Sequence, residues 1–140
     1  MRNGYTYEID ARGRTRRVSG LLSDTDTPAR SSTTQAKAGG EDRRISDDGG
    51  HYIAARFDGP TDAFNHFAQD ANFNRGRYRV LEDEWAKAKR AGKEVTATIV
   101  PHCREGALRP FEIDVSFTVN GQKRSIKMPN ERTEKRRGKR

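Results

Sequence analysis

The sequence predicts an α+β fold with a central antiparallel sheet, one main helix and long loops. Three observations predict it. Runs of alternating apolar and polar residues lie towards both ends of the chain, one amphipathic segment lies between them, and the stretches before that segment are polar and without period.

The elements follow in order. YTYEID (5–10) alternates large and polar residues and reads as a short strand; Gly13 marks a turn, and RRVSGLL (16–22) reads as the returning strand of an N-terminal hairpin. Residues at about 23–47 are rich in Ser, Thr, Asp, Ala and Gly and read as a long loop. DDGGHYIAARF (47–57) reads as a loop entering a short ordered segment. FDGPTDAFNHFAQDANFNRG (57–76) reads as irregular and not core, either a loop whose side chains have work to do or plain surface. YRVLEDEWAKAKRAG (78–92) is the helix, with Tyr78, Leu81, Trp85 and Ala88 on one face. Gly92 ends it, and Lys87, Lys89 and Arg90 suit the negative end of the helix dipole. VTATIVP (95–101) and RPFEIDVSFTVNG (109–121) alternate as strands, the second placing Phe111, Ile113, Val115, Phe117 and Val119 on one face. Asn120-Gly121 is a two-residue hairpin turn into a last strand, QKRSIKM (122–128). Residues 1–130 read as one domain. Residues 131–140 hold no apolar side chain and read as a basic disordered tail.

Composition bounds the function. Of 140 residues, 31% are hydrophobic and 34% charged, which supports one domain with a modest core. The formal net charge is +8, half of it in residues 131–140, and suits a polyanionic partner such as nucleic acid. A single cysteine, Cys103, excludes an internal disulfide and a Cys-rich zinc site. No apolar run is long enough for a transmembrane helix, and the polar N-terminus lacks a signal-peptide core, so no membrane partner is expected. Any export signal would sit in a longer parent protein.

The chemistry concentrates in Asp48-Gly49-Gly50-His51, followed by Asn65, Gln69, Asn74 and Glu82. A histidine can act as general base on water near neutral pH. Amide and carboxylate oxygens are hard ligands that suit Mg²⁺, which needs only one or two protein ligands beside phosphate oxygens. One His, one Asn and a nearby Glu therefore fit phosphodiester hydrolysis.

The ordered run D-x-G-H, then N-x-x-x-Q-x(4)-N, then a helix with x(7)-E resembles the DNA/RNA non-specific endonucleases of the ββα-metal (His-Me finger) group. GGHYIAARFDGP, LEDEW, the RP at 109–110, the VNG hairpin and the N-terminal YTYEID..GR..RVSG..L resemble a bacterial branch found as toxin domains of secreted or contact-delivered effectors. The resemblance spans roughly residues 5–130. It implies a ββα-metal fold and assigns roles residue by residue. His51 is the general base, and Asn74 is the protein ligand to a single Mg²⁺, with Mn²⁺ as a substitute. Glu82 holds a metal-bound water and orients the site. Asn65 helps place His51 or the phosphate, Gln69 supports the Asn loop, and Asp48 fixes the loop carrying His51. Many relatives read D-R-G-H. Here Gly49 stands in the arginine's place, leaving Arg43, Arg44, Arg56 and Arg75 as phosphate-binding alternatives. The resemblance also implies DNA and/or RNA as substrate, an acidic cognate immunity protein, and secretion or delivery by a bacterium with action in the target-cell cytoplasm.

Plainer readings stand beside these. His51 alone is more often structural, Asn74 competes with Asn72 and suits a helix cap, and Glu82 resembles its exposed neighbours Asp83 and Glu84. Arg75, Arg77 and Arg79 track phosphates or form a solvated basic face. His66, His102 and Cys103 read as structural or surface, the pair 102–103 having no metal partners at ligand spacing. The rival function is a non-catalytic basic nucleic-acid-binding module, which explains the charge but not the ordered His/Asn/Gln/Asn/Glu set.

Overall fold

The computed structural model describes residues 1–25, 28 and 31–132. The tail expected over 131–140 therefore lies, from 133 onward, outside the described residues. The main body is a five-stranded antiparallel sheet in the order β1-β2-β5-β6-β7, made of Thr6–Ile9, Thr15–Leu21, Val95–Cys103, Pro110–Val119 and Gln122–Pro129. The α+β architecture expected from the sequence is the one observed. Both hairpins form where expected, with Gly13 at φ 79° in the first and Asn120 and Gly121 at φ 48° and 84° in the last.

One face of the sheet makes the core. Val18, Val95, Ala97, Ile99, Ile113, Val115 and Phe117 are buried there, each at most 2% exposed. Helix α3 (Arg79–Arg90) lays Leu81 and Trp85 on that face. The Trp85 ring meets Phe117 edge-on at 5.5 Å and Phe57 at 6.4 Å. Truncating so buried an aromatic costs about 3–5 kcal/mol, so Trp85 is a main attachment of the helix to the sheet. Gly92, in the left-handed region at φ 80°, terminates the helix as expected.

Three expectations need correction. The loop at 23–47 holds a short helix α1 (Ser32–Lys37), capped by Ser31, whose Oγ accepts from Thr34 N, and a 3₁₀ turn at Gly40–Asp42. STTQAK has no apolar stripe, so nothing in its sequence signals a helix; packing against the next strand holds it. The stretches read as loop and irregular surface form a second sheet, β3 (Asp47–His51) paired antiparallel with β4 (His66–Asp70). Phe57, Phe67, Ala68 and Phe73 from this region are core. These strands were hidden because Asp47, Gln69 and Asp70, polar residues, occupy buried positions in them. The main helix also starts earlier than Tyr78. Asp70 caps a turn α2 (Ala71–Phe73) by accepting from Phe73 N at 3.0 Å, and a π-helical turn over Asn74–Tyr78 joins it to α3.

A smaller difference concerns Phe111. It is the extra residue of a bulge opposite His102 and Cys103, so it turns outward and is 38% exposed rather than sharing the face of Ile113.

Candidate active site

Two strands and the helix that follows them, β3-β4-α2-α3, carry the predicted residues. Strand β3 ends on His51. The chain after it is held at several points. Tyr78 Oη donates to the Tyr52 carbonyl at 2.7 Å, and Tyr5 Oη donates to the Phe57 carbonyl at 2.6 Å. Burial pushes the Tyr5, Tyr52 and Tyr78 hydroxyls upward in pKa, so they remain donors. Asn65 contributes most. Its oxygen accepts from Ile53 N (3.0 Å) and Tyr7 Oη (2.7 Å), and its amide donates to the carbonyls of Ile53 (2.9 Å) and Pro60 (3.0 Å). Asn65 is thus buried and fully occupied as a clamp on the segment after His51. None of these bonds reaches the His51 ring, so any placing of that ring by Asn65 acts through the backbone.

His51 Nε2 lies 2.9 Å from Glu82 Oε2, with side-chain exposures of 18% and 7%. A carboxylate only accepts, so the pair is satisfied when Nε2 carries the proton, which leaves Nδ1 with its lone pair. Glu82 stands apart from Asp83 and Glu84 in being buried, which its sequence neighbours concealed.

Asn74 sits at the start of the π-turn and donates its amide to Asp48 Oδ2 at 2.9 Å. That commits the nitrogen and leaves the amide oxygen as the group available to a cation. Asp48 also accepts from Arg75 at 2.8 and 3.1 Å. Its observed partners are therefore Asn74 and Arg75, which tie the strand carrying His51 to the helix side of the site. Gln69, opposite Asp48 in the strand pair, is fully buried, and neither atom of its amide has a hydrogen-bond partner among the described residues. It fills the space a side chain at position 50 would need, since a Cβ on Gly50 would come within 1.8 Å of Gln69 Oε1.

His51, Arg56, Asn74, Arg75, Arg79 and Glu82 all line one cavity of about 210 Å³. Asn72 is not among its walls. A larger cavity of about 500 Å³ between α1 and the first hairpin contains neither His51, Asn74 nor Glu82.

The arginines sort by position. Arg56 and Arg75 line the cavity while paired with Asp83 and Asp48, as does Arg79, which was grouped with the helix-start arginines rather than with the phosphate set. Arg43 instead donates to the carbonyls of Gln35, Ala36 and Asp47, a structural role. Arg44 is exposed, and its backbone N–H caps Asp47. Position 49 explains its own glycine. A Cβ there would lie 2.0 Å from the Gln35 carbonyl oxygen, because α1 crosses directly over β3. The helix that the sequence did not announce occupies the room an arginine side chain would take.

One bolt under the site escaped the sequence reading. Arg109 Nε and Nη2 meet Asp47 Oδ2 and Oδ1 at 2.7 and 2.8 Å, with side-chain exposures of 6% and 0%. Asn130 completes it, accepting from Asp70 N and donating to the carbonyls of Ala68 and Pro110. The main sheet is thereby fastened to the β3-β4 unit. No sequence pattern marks such a pair, whose members lie 62 residues apart.

Known proteins similar to this chain agree with the fold. A family model described as DNA/RNA non-specific endonuclease matches residues 1–121. The chain is 36% identical over 129 residues to the type VII secretion system protein EssD of Staphylococcus aureus strains USA300 and NCTC 8325 / PS 47. That match covers 86% of this chain but 20% of the relative, so the chain spans about a fifth of its length. Among solved structures, NucA from Streptococcus agalactiae with no metal bound is similar at TM-score 0.75 and 18% identity, covering 91% of this chain and 71% of that one. NucA with a magnesium ion bound gives TM-score 0.72 at 16% identity over 92% and 71%. Sda1 nuclease with a bound zinc ion gives 0.67 at 14% over 90% and 73%.

Proposed function

Starting from the fact that this chain belongs to the DNA/RNA non-specific endonuclease family, we propose that it hydrolyses phosphodiester bonds of DNA and/or RNA at the cavity where His51, Asn74 and Glu82 meet. The carrying observation is that convergence: a base candidate and two oxygen donors share one small cavity rimmed by Arg56, Arg75 and Arg79.

The residues divide the work as follows. Glu82 accepts a hydrogen bond from the His51 Nε2–H and fixes the tautomer in which Nδ1 can accept a proton. His51 Nδ1 takes a proton from water as the water oxygen attacks phosphorus; the bond from phosphorus to the 3′-oxygen breaks, and that oxygen leaves as a hydroxyl by taking a proton from solvent water. Arg56, Arg75 and Arg79 hold the backbone phosphates. Phosphate contacts carry no sequence information, which supports a reading of low specificity. The donor set fits Mg²⁺, with Mn²⁺ as a substitute, because the Asn74 amide oxygen is a hard ligand, the Glu82 carboxylate would hold a metal-bound water, and among the described residues no thiolate or multi-histidine group lines the cavity. When bound, such an ion stabilises charge on the phosphate and on the leaving oxygen.

The similarity to a type VII secretion system protein supports a further reading. Residues 1–130 act as the nuclease domain of a delivered bacterial effector, working in the target-cell cytoplasm, with an acidic cognate immunity protein covering the basic cleft. Plasmid nicking with and without EDTA tests the chemistry: the wild-type protein nicks, chelation stops it, and His51→Ala does not nick. Cleavage that persists under exhaustive chelation overturns the metal reading. Expression of the wild-type domain alone in a bacterial cytoplasm, without loss of viability or nucleic acid, overturns the toxin reading.

A further inference from the structure

We propose that His102, Glu112 and Asp114 form a second divalent-cation site, for an ion of zinc type, on the outer face of the main sheet and independent of the nuclease cavity. Along the sequence His102 has no partner at ligand spacing. Folding supplies two, because β5 and β6 pair with His102 opposite Glu112 and Asp114 two residues further on the same face. The opposite face of these strands carries the buried Ile99, Ile113 and Val115, so the sheet itself separates this cluster from the His51 cavity.

The geometry points to a cation in three ways. One ligand atom from each residue lies within 4.8 Å of the others. Tetrahedral zinc at roughly 2.0–2.2 Å from its ligands sets them roughly 3.3–3.6 Å apart, so small rotations suffice. His102 Nε2 is already 2.8 Å from Asp114 Oδ2. The second Asp114 oxygen, Oδ1, is out of contact with solvent and has no hydrogen-bond partner among the described residues. An orphaned carboxylate oxygen beside an imidazole is satisfied by a positive ion. A neutral imidazole and two carboxylates also balance the charge of a divalent ion. Lys127 reaches Glu112 Oε1 only at 3.9 Å and is 65% exposed, so it offers a weak alternative counter-charge that an ion displaces. The imidazole favours Zn²⁺ over Mg²⁺ and Ca²⁺, which prefer all-oxygen sets. The partly exposed ring and carboxylates leave the fourth position to water.

Such an ion would cross-link β5 to β6 where the Phe111 bulge interrupts their pairing, and its readouts are affinity and stability rather than cleavage. The test is calorimetric titration of Zn²⁺ into the wild-type protein, Asn74→Ala, Asp114→Asn and Glu112→Gln, with folding checked by circular dichroism and the unfolding midpoint recorded with and without Zn²⁺. The expected result is a Zn²⁺ site retained in Asn74→Ala and weakened roughly tenfold or more in both carboxylate variants, with the Zn²⁺-dependent rise in midpoint lost in parallel. Mg²⁺ titrated into Asn74→Ala leaves the midpoint unchanged. Zn²⁺ binding equally tight in Asp114→Asn and Glu112→Gln overturns the proposal. So does loss of all Zn²⁺ binding in Asn74→Ala, which would place the ion in the nuclease cavity.

Discussion

Arg109→Met should be the most destabilising single change among the polar groups beneath the site. The guanidinium makes two charge-assisted bonds to Asp47, at 2.7 and 2.8 Å, and a third contact to the Asn130 carbonyl at 3.1 Å. With the arginine removed, the Asp47 carboxylate, whose side chain is 0% exposed, keeps among the described residues only the Arg44 N–H at 2.8 Å. Breaking a buried pair from one side costs about 3–5 kcal/mol, because the survivor is a buried and under-compensated charge. At roughly 3 °C per kcal/mol for a domain of this size, the unfolding midpoint falls by about 10–15 °C. The assay is thermal unfolding followed by circular dichroism at neutral pH, with Asp47→Leu combined with Arg109→Met as the partner experiment. Removing both charges should unfold at a higher temperature than Arg109→Met alone. The pair also sets an acid limit. Burial raises the Asp47 carboxyl, but the Arg109 hydrogen bonds outweigh this and hold it below the ordinary 3.8. A depressed acid contributes stability fully above its unfolded value and loses it as pH falls through the folded one, so the contribution fades only below about pH 4. A loss under about 1 kcal/mol in Arg109→Met, or a double variant as weak as the sum of both singles, would refute the reasoning.

His51→Ala should lower the nicking rate by about 10²–10⁴-fold, the usual worth of a general base, while Mg²⁺ affinity measured by titration stays within error of wild type. Asn74→Ala should differ, losing cleavage and Mg²⁺ affinity together; retained affinity would move the metal site elsewhere. Asp48→Ala releases both Asn74 and Arg75, so it should weaken Mg²⁺ and substrate binding at once, read by titration and by gel shift with a His51→Ala background preventing cleavage. Gly49→Arg should not rebuild the D-R-G-H pattern usefully. The clash at 2.0 Å with the Gln35 carbonyl must displace α1, so the variant should unfold at lower temperature; an unchanged midpoint would show that α1 does not hold this position.

What the sequence disclosed follows the kind of force involved. The outer hairpins, the β5-β6 pair and the face of Trp85 obey apolar period and turn chemistry, and both are printed in the residues. The β3-β4 unit obeys neither. Its strands bury Asp47, Gln69 and Asp70; Asp47 is partnered by Arg109 and Asp70 by Asn130 and the Phe73 N–H, and such pairings exist only after folding. For the site, the order His51, Asn74, Glu82 named three residues that line one cavity. Asn65 was visible as a member of the set, but its work as a backbone clamp was not, because its partners Tyr7 and Pro60 are identified only by contact. Arg79 could have been singled out by its spacing: it lies four residues after Arg75 and three before Glu82, the interval of one helical face.

The π-turn changes how spacing should be counted. Asn74 and Glu82 are eight residues apart, which in a regular α-helix, at roughly 100° per residue, leaves them roughly 80° out of line after two turns. A π-turn absorbs one additional residue, and the remaining seven bring the two side chains to within roughly 20° of each other, both facing the same cavity. An alignment that scores the interval as a fixed eight therefore treats as essential a residue whose role is only to pad the winding. A homologue with six residues between the same asparagine and glutamate, and an uninterrupted helix, would present an equivalent pair. Its single-residue gap near Gly76 would be a change of helix type rather than a damaged motif.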